Sequence, residues 1–172
     1  MRKFMLAASA LLVSALSTPA FAASCEASVP GDFSKVGETR LSVLFWDVYD
    51  ATLYSPSGEY EKNERQALKL NYLRDIDADD LIETTEEEWQ KLELDSSEHD
   101  EWLTKLKDIW PDIKEGDCLL LLETKDGYAE FYQGEELLGT VESQEFTDQF
   151  LAIWLSPESR FKEERNELVG AK

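Results

Sequence analysis

Apolar residues recur along the chain at two different spacings, which divide it into alternating groups of strands and helices. Between Val36 and Asp75, apolar and β-branched runs bounded by turn residues predict strands, among them Leu41–Trp46 and Val48–Tyr54. In residues 67–73, Leu and Tyr alternate with Ala, Lys and Asn almost throughout, which is typical of an antiparallel strand with one buried face.

Helical spacing follows in the middle of the chain. The segments Asp77–Leu92 and Glu98–Ile109 repeat their large apolar side chains at intervals of three or four residues. Each segment therefore predicts an amphipathic helix, and Pro111 ends the second one.

The second half of the chain repeats this order. Three apolar runs separated by glycine-containing turns predict a meander of short strands: Cys118–Leu122, Tyr128–Tyr132 and Leu137–Val141. Gln144–Leu155 predicts a helix with one aromatic face, and a last helix is predicted from Pro157 to about Val169, with Ser156 as its cap. The order of elements predicts an α+β fold, an antiparallel sheet with helices gathered on one face.

The first residues have the order of a secretory signal peptide. A basic start, Met1–Lys3, precedes the apolar run Phe4–Leu16, and Ala20-Phe21-Ala22 places small residues where a signal peptidase requires them. The apolar run is too short to cross about 30 Å of hydrocarbon, and no later segment is long and apolar enough to do so. We expect cleavage after Ala22, one mature domain of residues 23–172, and a periplasmic or secreted location.

The two cysteines, Cys25 and Cys118, are compatible with three roles. In an oxidising compartment an even count favours a disulfide, whose loop closure contributes about 4 to 5 kcal/mol. Lipidation of Cys25 is a second role, although Ala22-Ala23-Ser24 lacks the aliphatic residue that a lipobox needs. A nucleophilic thiol is the third, although the sequence places no base beside it.

The charge of the chain excludes several classes of partner. Acidic residues outnumber basic ones by 37 to 17, which gives a net charge of -20 and repels nucleic acids and anionic lipid surfaces. A basic protein partner stays compatible with such a surface. The single histidine, His99, excludes sites that need two imidazoles, and its acidic neighbours predict a surface position. Because the acidic stretches lack the order and the glycine of a calcium loop, and no glycine-rich phosphate loop is present, we expect no metal and no cofactor.

Aromatic residues on the predicted strands are the strongest candidates for a binding site. Tyr49, Tyr54 and Tyr72 fit ordinary sheet packing, and they also fit an apolar cleft in which tyrosine hydroxyls hold the polar end of a ligand. Arg40, near the first strand pair, fits either a salt bridge with one of the many acids or the neutralisation of a bound carboxylate or enolate.

An ordered set of segments is similar to the bacterial chalcone isomerase-like family. The segments span nearly all of the mature chain: residues 48–56, 67–74, 110–117, 146–150, 153–156 and 168–170. The resemblance implies an open-faced β-sandwich, with a large antiparallel sheet covered on one face by a layer of helices.

The resemblance also bears on activity. Plant chalcone isomerases cyclise a chalcone to a flavanone without a cofactor, using an arginine and a network of tyrosine, threonine and water. Here Arg40 matches the arginine across a gap, Tyr49 stands where the family has threonine, and the middle helix has no counterpart of the catalytic tyrosine and asparagine. We therefore expect a protein without isomerase activity that binds a small apolar or amphipathic, fatty-acid-like ligand in the sheet-helix cleft through Arg40, Tyr49, Tyr54 and Tyr72. The alternative is an intramolecular lyase that uses the arginine and tyrosine hydroxyls.

Overall fold

The computed structural model describes residue 25 and residues 27–171, and within them six strands form one antiparallel sheet. The predicted signal peptide, residues 1–22, lies outside the described residues. The strands follow the order of the chain across the sheet: β1 Ser34–Val43, β2 Trp46–Ser55, β3 Ala67–Tyr72, β4 Cys118–Glu123, β5 Ala129–Gln133 and β6 Glu136–Val141.

The central strands are buried on both faces of this sheet. On one face Leu70 of β3 lies opposite Leu119 of β4 in the main core. On the other face Leu120 packs with Ala67 and Ala27 in a second, smaller cluster. Burial on both faces explains why β4 is a continuous apolar run and does not alternate.

Helices cover the face that carries the main core. The described residues contain four of them: α1 Ala78–Lys91, α2 His99–Ile109, α3 Gln144–Leu155 and α4 Lys162–Leu168. The fully buried Trp89 of α1 donates its indole N–H to the carbonyl of Gln149 in α3 over 3.1 Å, which ties these helices together. The predicted α+β fold, an open sheet covered by a layer of helices, is confirmed. None of the described helices combines the length and the apolar composition that a membrane span requires.

The last helix begins later than the sequence predicts. Ser156 and Pro157 do not start α4; the Ser159 N–H bonds to the Ser156 carbonyl at 3.0 Å and closes a turn. Ser159 is buried, and Phe161 precedes the first helical residue, Lys162. The packing of this turn against the core overrides the Ser-Pro start signal.

The first hairpin also differs from the sequence prediction. The apolar run Leu41–Trp46 is not one strand, because β1 ends at Val43 and β2 begins at Trp46. Leu44 and Phe45 form the turn between them, with Val43 paired to Trp46. Neither turn residue is of the type that usually marks a hairpin turn, which is why the sequence pattern misses it.

His99 is half-buried, so its predicted surface position is wrong. Its ring stacks on Trp89 with centroids 4.6 Å apart, and its Nε2 lies 2.7 Å from Oε1 of Gln149. The start of α2 packs against α1 and α3, a tertiary contact that the acidic residues around His99 do not reveal.

Cys25 and Cys118 form a disulfide, with their Cα atoms 5.1 Å apart. The bridge holds the segment before β1 against β4, on the sheet face opposite the helices. A bridged Cys25 is neither lipidated nor a free nucleophile, so the disulfide is the confirmed member of the three predicted roles.

Candidate functional site

A cavity of about 330 Å³ lies between the sheet and the helices. Its volume is at the lower end of the range of small-molecule pockets. Large apolar side chains make most of the wall: Leu41, Val43, Val48, Leu68, Leu70, Ile76, Leu81, Trp110, Leu119, Leu121, Phe131, Phe150, Ile153, Phe161 and Leu168. The cavity is therefore suited to the hydrocarbon part of a ligand.

A bulge in the first hairpin adds a side chain to this wall. Leu41 lies opposite Tyr49 and Ser42 lies opposite Asp47, so Val48 has no partner in β1. In a regular strand, neighbouring residues point to opposite faces. Here Val48 and Tyr49 both line the cavity, because the bulge shifts the local direction of the chain.

Two tyrosines place hydroxyl groups in the cavity wall. The rings of Tyr49 and Tyr72 meet edge to face with centroids 5.6 Å apart, and both side chains line the cavity. The Trp154 indole donates to the Tyr49 hydroxyl oxygen over 2.9 Å, which leaves the Tyr49 proton free to be donated. Burial raises the pKa of both phenols well above its usual value, and the neighbouring Tyr49 adds to the effect on Tyr72. Both are therefore neutral hydrogen-bond donors at physiological pH.

A charged cluster forms another part of the lining. The side chain of Glu88 in α1 is only 6% exposed, and its carboxylate lies 2.9 Å from Arg160 and 3.1 Å from Lys91. Arg160 follows α3 in the turn before α4, so this ion pair joins two parts of the helical layer. Two partners compensate the buried carboxylate, as burial of a charge requires.

One wall residue has an unsatisfied polar atom. The indole nitrogen of Trp110 is buried and has no hydrogen-bond partner among the described residues. Its ring packs edge to face on Phe131 and Phe150, which also line the cavity. Buried donors are normally paired, so the Trp110 indole nitrogen is an exception in the cavity wall.

The four predicted ligand-binding residues are divided between the two faces of the sheet. Tyr49 and Tyr72 line the cavity. Tyr54 lies outside the lining and packs with the smaller cluster on the opposite face. Arg40 is half-exposed and also lies outside the lining.

Arg40 is fully engaged where it lies. Its Nε and one terminal nitrogen donate to both carboxylate oxygens of Asp50, at 2.6 and 2.9 Å, and its other terminal nitrogen reaches Asp47 at 3.2 Å. These acids, Asp50 foremost, raise the pKa of the guanidinium above its ordinary value. The salt-bridge alternative for Arg40 is thus the one that the geometry favours.

The alternation of the two strand faces along β1 and β2 distinguishes the residues that line the cavity from those that do not. In β1 the buried positions Thr39 and Leu41 flank Arg40, and in β2 the buried positions Ala51 and Leu53 share a face with Tyr49 but not with Tyr54. Glu88, Arg160 and Trp154 were not among the predicted site residues. Only Trp154 had a local signal, since it belongs to the apolar face of the predicted helix 144–155.

No group of three or more His, Cys, Asp and Glu side chains is arranged to hold a metal ion within the part of the chain that the structure describes.

Similarity to known proteins agrees with this architecture. Residues 36–170 match the chalcone isomerase-like family. The chain belongs to this family. The resemblance seen in the sequence is therefore confirmed, and the match extends from β1 through α4 to Gly170.

One sequence relative and one solved structure are similar to this chain. An uncharacterised protein of Haemophilus influenzae is 30% identical over 125 residues, which are 72% of this chain and 61% of the relative. The match therefore spans less than two thirds of that relative's length. The crystal structure of a fatty-acid-binding protein of Arabidopsis thaliana is similar with a TM-score of 0.66 and 15% identity, over 83% of this chain and 89% of that chain. At this identity the likeness shows a shared fold.

Proposed function

We propose that this protein is an exported, non-enzymatic binder of a small apolar or amphipathic molecule of the fatty-acid type. The observation that carries the proposal is the cavity of about 330 Å³, whose wall is mostly hydrocarbon and whose polar groups are few. Such a site suits one apolar chain with one polar end. The fatty-acid-binding function named for the Arabidopsis neighbour supports the same ligand class.

The polar end of the ligand is best placed beside Tyr49 and Tyr72. Both phenols stay protonated, and a carboxylate accepts hydrogen bonds from such donors more strongly than an uncharged oxygen does. The apolar chain then extends between β3, β4 and α3, where Leu70, Leu121 and Ile153 form the wall.

The position of Arg40 favours a role without catalysis. The Arg40 guanidinium is bound to Asp47 and Asp50 outside the lining, so it is not placed to stabilise an enolate in the cavity. The arginines that do line the cavity are already engaged, because Arg160 pairs with Glu88 at 2.9 Å and the Arg165 Nε donates to the Leu155 carbonyl at 3.1 Å. We expect no loss of the chalcone absorption band when the purified protein is incubated with chalcones. Flavanone formation that is abolished by Arg40→Ala would instead establish the intramolecular lyase.

Export is supported by the disulfide, because such bridges persist in oxidising compartments. Cell fractionation should place the protein in the periplasm or the medium, with a mature N-terminus at Ala23. A cytoplasmic chain that still starts at Met1 would contradict this part of the proposal.

Two adjacent residues of α1 offer a matched test of the cavity. Leu81 lines it and Ile82 does not, although both are half-buried in the same helix. Leu81→Trp should fill the cavity and weaken binding of a long-chain fatty acid at least about tenfold, whereas Ile82→Trp should leave it nearly unchanged. Titration calorimetry on delipidated protein measures both affinities.

Two results would contradict the proposed binding site or the proposed function. Equal affinity in the Leu81→Trp variant and the unaltered protein would place the ligand elsewhere. Absence of any bound lipid by native mass spectrometry of protein from its own host, together with no binding in the titration, would remove the ligand-binding proposal.

A further inference from the structure

The turn of the first hairpin exposes consecutive large apolar side chains. Val43, Leu44, Phe45 and Trp46, here called the apolar tip, are 42%, 87%, 96% and 63% exposed. The other large apolar side chain that is clearly exposed in the described residues is Leu137 of β6, at 49%. Single exposed leucines are ordinary, whereas an adjacent set marks an interaction site.

The backbone conformation of the apolar tip disfavours leucine in its turn, so folding by itself does not explain why these residues are present. Leu44 has φ of +58°, in the left-handed region that glycine and asparagine occupy at lower cost. Its side chain and that of Phe45 are almost fully exposed, so they gain little from the folded core. Exposed apolar residues in a strained turn indicate selection for contact with a partner.

The charge around the apolar tip identifies the kind of partner. At its base the guanidinium of Arg40 binds Asp47 and Asp50, and the Arg74 guanidinium lies 5.3 Å from the centre of the Trp46 ring. The charges of these two cations and two anions sum to zero at the base of the apolar tip, whereas the whole chain has a net charge of -20. The apolar tip therefore suits an uncharged or zwitterionic surface, and the rest of the molecule is repelled by an anionic one.

The apolar tip is continuous with the cavity. Val43 belongs to both, and Leu41, Val48 and Tyr49 extend the same hairpin along the cavity wall. A partner that covers the apolar tip thus lies beside the proposed ligand site.

We propose that the apolar tip inserts into the interfacial region of a zwitterionic lipid bilayer and brings the cavity to the membrane with which it exchanges its ligand. Aromatic and leucine side chains are favoured in that region, and a bilayer accommodates a narrow convex tip without a preformed groove. The docking step rests on the hairpin alone, and the exchange step rests on the proposed function.

Tryptophan fluorescence provides a direct test of insertion. Trp46 is the most exposed of the five tryptophans. Vesicles of phosphatidylcholine with brominated acyl chains should quench its emission and float with the protein, and Trp46→Phe should remove the quenching. Replacing part of the lipid with phosphatidylglycerol should weaken binding, more so at low ionic strength.

A double substitution with a matched control identifies the contact. Leu44→Asn with Phe45→Ser should weaken vesicle binding at least about tenfold, because it removes most of the inserted apolar surface. The variant should fold, since neither side chain is buried and asparagine tolerates the left-handed conformation. Leu137→Ser removes an exposed leucine elsewhere and should not change binding.

Several results would overturn the docking proposal. The first is that the unaltered protein does not bind phosphatidylcholine vesicles, and the second is that Leu137→Ser weakens vesicle binding as much as the double substitution does. The third is a dimer in solution that the double substitution dissociates, which would assign the apolar tip to contact with a second copy of this chain. Fatty-acid titration of the double variant separates the two proposals. If the double variant no longer binds vesicles but keeps its affinity for the fatty acid, the proposed function stands. If neither the double variant nor the unaltered protein binds the fatty acid, the proposed function and the exchange step are contradicted, but docking is not.

Discussion

Tyr49 and Tyr72 occupy the cavity wall because of where each one falls on a pleated strand. They lie opposite each other in the register of β2 and β3, so both rings project from the same face of the sheet. Tyr54 is an odd number of positions from Tyr49 and projects from the other face, where the Lys69 ammonium lies 6.0 Å from its ring centre. Residues of identical type in one strand therefore have different roles.

This difference yields a prediction at the residue scale. Tyr72→Phe removes a hydroxyl from the cavity and keeps the ring, so it should weaken binding of a fatty acid about tenfold through the lost hydrogen bond. Tyr54→Phe is the control and should leave the affinity unchanged. Titration calorimetry compares them, and an equal effect of both substitutions would rule out a polar contact at Tyr72.

At the scale of elements, the short helix α4 depends on a glycine in β1. A Cβ at Gly37 would overlap the carbonyl oxygens of Glu167 and Leu168, which are backbone atoms with little freedom to move. Thr39, also in β1, adds a hydrogen bond of 2.6 Å to the Glu167 carboxylate. Since α4 contributes Leu168 to the core and Arg165 to the cavity lining, this contact positions part of the site.

The close approach predicts the effect of one methyl group. Gly37→Ala should lower the free energy of unfolding by about 1 to 3 kcal/mol, because it overpacks the contact between β1 and α4. Gly31→Ala adds the same methyl group where no atom lies within 4 Å and should have little effect. Urea unfolding measures both, and equal stability of the two variants would show that α4 shifts without cost.

The whole molecule is a sheet with different coverings on its two faces. The helices and the cavity occupy one face, and the segment around Ala27, the disulfide and Leu120 occupy the other. The bridge closes a loop of 93 residues and lies outside the cavity lining. Its contribution to stability should therefore be separable from ligand binding.

Removal of the bridge tests that separation. The double substitution Cys25→Ser with Cys118→Ser should lower the free energy of unfolding by about 4 to 5 kcal/mol, chiefly because the unfolded chain regains entropy. Fatty-acid affinity should stay the same below the unfolding transition. Denaturant unfolding and calorimetry measure the two quantities, and a large loss of affinity in folded protein would show that the two faces are coupled.

Much of the architecture was predictable from local patterns, because strands and helices impose periods of two and 3.6 residues on buried positions. The spacing of Phe146, Phe150 and Trp154 predicted the helix from Gln144 to Leu155 with both bounds correct. In the structure Ser143 caps this helix, and the Phe146 N–H donates to the Ser143 hydroxyl at 3.2 Å. The turn at Leu44 and the late start of α4 at Lys162 were not predictable, because tertiary packing outweighed turn and cap propensities there.

By itself, the amino-acid sequence determined the order of the elements and the fold class, because both depend on spacing along the chain, and the resemblance of an ordered set of segments indicated the family. The pairing of Cys25 with Cys118 needed the tertiary structure, because it depends on how closely two distant residues approach. The tertiary structure alone decided which side chains share the cavity. Trp154 meets Tyr49 across 105 residues, and Arg160 meets Glu88 from another part of the helical layer. Such contacts depend on how the layer of helices packs against a twisted, bulged sheet, and no local periodicity of the sequence encodes that packing.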